Sequence, residues 1–127
     1  MQDNLELIEK IKHYPLWLKV GLRSYIRDGK PFIDAKAINP DFKIFLDLKL
    51  YDIPNTMADA AESIMGLGVD MFNVHASAGR KAMNEVMKRL QPYENRPLVL
   101  AVTALTSFDE NEFTHVYEKS IDRKSVV

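Results

Sequence analysis

The chain has 127 residues, with 17 Lys plus Arg against 18 Asp plus Glu, a formal charge of −1 and no cysteine. That length suits one domain with a real core, and the near balance of charge argues against a nucleic-acid or membrane-surface protein held by bulk charge. There is no disulfide framework or thiolate chemistry and no apolar run of the roughly 20 residues that a membrane span needs; the start Met1-Gln2-Asp3-Asn4 is unlike a signal peptide, so a cytoplasmic protein is expected.

Helical and strand patterns alternate along the chain. Asn4 to Lys12 puts Leu5, Ile8 and Ile11 at helical spacing. Leu16 to Leu22 reads as a strand, and a helix around Ile33 to Ile38 follows with poor apolar spacing. Lys43 to Leu50 is the second strand. The helix Thr56 to Leu67 carries Met57, Ala60, Ala61, Ile64 and Met65 on one side, with Pro54 near its start, where a missing N–H costs little. Met71 to His75 is the third strand, and Ser77 to Leu90 is a helix with Ala82, Val86, Met87 and Leu90 on its apolar face. Leu98 to Ala104 is the fourth strand. The last helix is expected to open at Ser107-Phe108-Asp109-Glu110, a Ser-x-x-Glu capping box, and to run through Phe113, Val116 and Tyr117.

Equivalent strand positions recur about every 27 residues, at Lys19, Asp47, Val74 and Ala101, the length of a βα unit in a parallel sheet with right-handed crossovers. The fold class is therefore α/β. Two architectures fit: part of a (β/α)8 TIM barrel, about four βα units in a single partial domain over 1–127, or a small open doubly wound parallel sheet. Polar residues collect at the strand C-terminal ends: Lys19, then Asp47 and Lys49, then Asn73 and His75, then Thr103. A barrel active site requires that distribution, whereas an open sheet concentrates its polar groups at one switch point.

The densest charge lies in Asp47-Leu48-Lys49-Leu50-Tyr51-Asp52. In a strand, Asp47 and Lys49 project to one face while Ile44, Leu46 and Leu48 fill the other. Opposite charges at the end of a buried strand are costly unless paired, so the segment reads either as a constructed charge site or as a structural ion pair. His13, His75 and His115 have unrelated spacings and suggest no metal site. Gly29-Lys30-Pro31 and Gly79-Arg80 are turns or helix starts without Walker or dinucleotide spacing, so no nucleotide cofactor is expected.

The run Asp47-Leu48-Lys49-Leu50-Tyr51-Asp52-Ile53-Pro54-Asn55-Thr56 resembles the signature of orotidine 5'-monophosphate decarboxylase, Asp-x-Lys-x-x-Asp followed by Ile-Pro-Asn-Thr. Trp17-Leu18-Lys19-Val20-Gly21-Leu22, Asn73-Val74-His75-Ala76-Ser77-Ala78-Gly79 and Thr103-Ala104-Leu105-Thr106-Ser107 are similar to three further strand segments of that family. The resemblance covers almost the whole chain, from the first helix to the fifth helix of the family fold. The first family strand, with its ribose-binding aspartate, and the later strands with the phosphate site have no counterpart here.

The resemblance implies cofactor-independent decarboxylation of orotidine 5'-monophosphate to uridine 5'-monophosphate, in pyrimidine biosynthesis. It implies catalytic roles for Lys19, Asp47, Lys49 and Asp52, with Lys49 as proton donor, and substrate contacts from Ile53, Thr56, His75 and Thr106. Asp47 and Asp52, where both are close, would favour the Lys49 ammonium. Asp52 resembles the aspartate that family members share across a homodimer interface, with Ile53 and Thr56 beside it. No cofactor or metal, nucleic acid or membrane partner is implied. Two other readings remain: a Mg²⁺-dependent sugar-phosphate synthase or decarboxylase of the same superfamily, which shares Asp-x-Lys-x-x-Asp, and an inactive half-barrel.

Overall fold

Each apolar alternation becomes a strand of one parallel sheet in a computed structural model that describes residues 2–29 and 35–118. Helix α1 (Gln2–Ile11) precedes β1 (Trp17–Gly21) and α2 (Leu22–Asp28). Then come β2 (Lys43–Leu50), α3 (Pro54–Met65), β3 (Met71–His75), α4 (Arg80–Leu90), β4 (Leu98–Val102) and α5 (Glu110–Tyr117).

The spatial order is β1-β2-β3-β4, and every neighbouring pair is parallel. An unreversed order with right-handed crossovers carries the connections over one face. A doubly wound sheet would reverse its order at a switch point; these four strands do not, and the barrel-like alternative is the one that forms.

The covered face is the core. Val20, Ile44, Leu46, Phe72 and Val74 of the strands cluster with Met57, Ala61 and Ile64 of α3 and with Ala82, Val86 and Leu90 of α4. Ile44, Leu46 and Phe42 are fully buried, and each such side chain contributes about 1.5–3 kcal/mol. On the other face of the edge strands, Trp17 is 51% and Leu98 61% exposed.

The structure departs from the sequence pattern at several points. Helix α2 follows β1 directly; its apolar Leu22 and Ile26 point to solvent and it buries no residue, so no amphipathic pattern marks it. Of the helix expected around Ile33 to Ile38, Ile33 and Asp34 lie outside the described residues, as do Lys30 and Pro31, and 35–37 form a 3-10 turn. The Ser77–Leu90 helix is split: Ala76–Ala78 is a 3-10 turn, and Gly79, with φ 94° and ψ 161°, separates it from α4. Such a backbone is open essentially to glycine alone. Met87 in α4 is exposed rather than core. The capping box of α5 is Asp109 with Glu112, two residues later than expected: the Asp109 carboxylate accepts from the Glu112 N–H at 2.8 Å. Both Glu110 and Glu112 satisfy the sequence pattern, and the carboxylate at 109 takes the cap. In the same helix Val116 is exposed.

Candidate active site

The charge site is built on an irregularity. Phe45 and Leu46 of β2 register with Met71 and Phe72 of β3, but Leu50 registers with Val74. Between Leu46 and Leu50, β2 therefore runs two residues longer than its neighbour, which is how a bulge re-aims side chains. Lys49 sits in it at φ 52°, a left-handed conformation that costs a non-glycine residue roughly 1–2 kcal/mol. Its backbone N–H donates to Asn73 Oδ1 at 2.7 Å, a side-chain acceptor from the next strand.

Asp47 gathers the cations. Lys49 Nζ donates to Asp47 Oδ1 at 2.6 Å, Asn73 Nδ2 donates to the same oxygen at 2.7 Å, and Lys19 Nζ lies 3.3 Å from Asp47 Oδ2. Burial alone would raise the Asp47 carboxyl. Hydrogen bonds from Lys49, Asn73 and Lys19 outweigh it and hold the group below its ordinary 3.8. The Asp47 side chain is 13% exposed, against 38% for Lys49, so the carboxylate is the fixed anchor and the ammonium groups reach solvent. Gly21 follows Lys19 on β1, and a Cβ there would stand 3.3 Å from Lys19 Nζ; its absence leaves the lysine room to lean toward Asp47.

Asp47 and Lys49 line one wall of a cleft of about 420 Å³, with Phe45 and Asn73, while Leu100 to Val102 and Ala104 to Ser107, including Thr106, line the other. A broader hollow of about 530 Å³ beside Leu5, Glu6, Glu9 and Lys10 belongs to one surface helix and gathers no buried charge. The strand-end cleft combines an apolar wall with converging polar groups, as small-molecule sites do. An ammonium held by a buried carboxylate can stabilise a developing anion there or give it a proton.

The expected site residues divide into two sets. Asp47, Lys49 and Thr106 come together at the cleft, and Lys19 joins them through its ion pair with Asp47. Asp52 does not join Lys49: its carboxylate accepts from the Ile53 N–H at 2.7 Å, and Asp52, Ile53 and Thr56 are exposed at the start of α3. Among the described residues Lys49 pairs with Asp47 alone, so the two-carboxylate embrace is not formed within one chain. His75 is buried; its Nδ1 accepts from the Ser77 N–H at 3.2 Å, and Tyr51 stacks on its ring with centroids 5.3 Å apart. That is a cap and a platform at the strand end. The sequence marks Asn73 only as a polar strand-end residue; 2% exposed, it touches both Asp47 and Lys49. An amide among the apolar residues of a buried strand was the available signal; the bulge that gives it its partners is invisible in sequence.

The Orotidine 5'-phosphate decarboxylase / HUMPS family model matches residues 1–127. Orotidine 5'-phosphate decarboxylase of Sulfurimonas denitrificans is 74% identical over 125 residues, 98% of this chain and 55% of that protein. The Campylobacter jejuni subsp. jejuni protein of the same name is 59% identical over 121 residues, 95% of this chain and 54% of its own length. The chain thus spans about half the length of the curated relatives it matches. Among solved structures, an uncharacterized conserved protein from Geobacillus kaustophilus aligns with TM-score 0.79 and 34% identity, over 93% of this chain and 56% of that one. Orotidine 5'-phosphate decarboxylase from Lactobacillus acidophilus aligns with TM-score 0.64 and 34% identity, over 79% of this chain and 45% of that one.

Proposed function

Because the chain belongs to the orotidine 5'-phosphate decarboxylase / HUMPS family, we propose that its strand-end cleft serves the cofactor-independent decarboxylation of orotidine 5'-monophosphate to uridine 5'-monophosphate. The observation that carries this reading is the Lys19–Asp47–Lys49 array, in which Asp47 and Lys49 line the cleft and Lys19 pairs with Asp47. The bond between C6 of the pyrimidine and its carboxylate breaks, and CO2 leaves. The electron pair left at C6 takes a proton from Lys49 Nζ, and the lysine regains one from water. The ammonium also stabilises the forming charge before transfer. Asp47 fixes the direction of Lys49 and lies near the departing carboxylate, and Thr106 hydrogen-bonds the pyrimidine.

Asp52, Ile53 and Thr56 complete a neighbouring site across a homodimer interface; their exposure on this chain supports that reading. His75 acts on substrate through the loop that Tyr51 anchors on it. The protein works in the cytoplasm, on a small soluble nucleotide.

The family description also covers HUMPS proteins, so a Mg²⁺-dependent sugar-phosphate reaction is the second reading. The test follows absorbance of orotidine 5'-monophosphate with the purified chain, with and without a chelator. Turnover unchanged by chelation is expected. Turnover that requires Mg²⁺ moves the assignment to the second reading. A folded, soluble chain without turnover is a half-barrel that keeps the charge site and not the reaction.

A further inference from the structure

We propose that Asn73 is the positioning residue of the charge site, its one amide fixing both the backbone of Lys49 and the carboxylate of Asp47. The proposal rests on the reading of those two residues as the reacting pair. Its Oδ1 accepts from the Lys49 N–H and its Nδ2 donates to Asp47 Oδ1, both at 2.7 Å. The side chain is buried, so water is a poor substitute for either bond. The two extra residues of β2 take Lys49 out of register with β3, and the amide replaces the strand acceptor its N–H would otherwise have. Lys49 holds φ 52° at an energetic cost, and such a conformation persists only where its surroundings over-determine it. Released from Asn73, Lys49 relaxes toward extended backbone, which swings Nζ away from Asp47. An amide is the smallest side-chain group that donates from one end and accepts at the other; a carboxylate at position 73 could accept from Lys49 but not donate to Asp47.

The test uses amide hydrogen exchange and NMR titration of the whole chain without substrate, in Asn73→Leu and Asn73→Asp. Asn73→Leu keeps the volume and loses both bonds. Exchange at the Lys49 amide is expected to rise roughly tenfold or more while Phe72 and Val74 are unchanged, and the Asp47 carboxyl is expected to titrate higher. Asn73→Asp keeps the acceptor, so the Lys49 amide stays protected at neutral pH. Lys49 exchange unmoved in Asn73→Leu, or an unmoved Asp47 titration, overturns the proposal, because a residue that only fills space is replaced by leucine without either change. Where Asn73→Leu does not fold, Asn73→Asp decides alone: lost protection at Lys49 refutes the acceptor role. None of these readouts needs turnover, so they fail separately from the proposed reaction. Where the chain does turn over, kcat falls more than KM in Asn73→Leu.

Discussion

At the scale of single residues, the site trades stability for geometry at Lys49. A positive φ on a side chain other than glycine is unfavourable, and here it accompanies the turn of the ammonium onto Asp47. Lys49→Gly and Lys49→Ala both lose the ion pair, but only glycine relieves the backbone. Urea denaturation should therefore find Lys49→Gly more stable than Lys49→Ala by about 1 kcal/mol; equal stabilities would mean that the conformation carries no strain. That Asp47 and Lys49 stand together was legible in sequence from strand alternation, although in the structure the bulge at Lys49 shapes the pairing. The part played by Asn73 was not: it depends on the register of two strands and on a bulge that no local pattern records.

At the scale of elements, the ends of the sheet differ in purpose. Opposite the cleft, Asp70 at the foot of β3 accepts from the Ile44 N–H at 2.7 Å, while Lys36 Nζ lies 2.7 Å and Lys43 Nζ 3.6 Å from its carboxylate. Burial pushes this carboxyl up, but the bonds from Lys36 and Ile44 outweigh it and keep it below the ordinary 3.8. A lowered carboxylate stabilises the fold above its unfolded pKa, and that contribution is lost as pH falls through the lower folded value. Asp47 acts in the same direction. Asp70→Ala should cost about 2 kcal/mol at neutral pH, and its stability should depend less on pH than that of the parent below the ordinary carboxylate value. Parallel melting curves across that range check both, and a variant with the parent's acid sensitivity would contradict the assignment. Strands β2 and β3 were legible to the residue, because Ile44, Leu46, Phe72 and Val74 fill the buried face. Helix α2 was illegible for the converse reason: it has no fully buried residue, and Tyr25 alone among its side chains packs against the core.

At the scale of the molecule, four βα units make one side of a barrel wall. Strands β1 and β4 are edges of the sheet, and Trp17 and Leu98 stand exposed on them. Unpaired edges beside apolar side chains favour association. Sedimentation of the purified chain should show concentration-dependent self-association that Leu98→Glu weakens; a monomer at all concentrations would contradict this. The repeat of about 27 residues made the βα architecture readable, and the unreversed strand order decided for a barrel segment over an open sheet.

The measurement that bears most directly on the whole account is the rate of orotidine 5'-monophosphate decarboxylation by the chain and by Lys49→Ala at equal concentration of folded protein. The account predicts turnover by the parent chain and a loss of at least about a hundredfold in the variant, the scale on which a positioned proton donor acts. Turnover that survives Lys49→Ala would place the chemistry elsewhere and contradict the assignment of Lys49 and Asp47 as its centre.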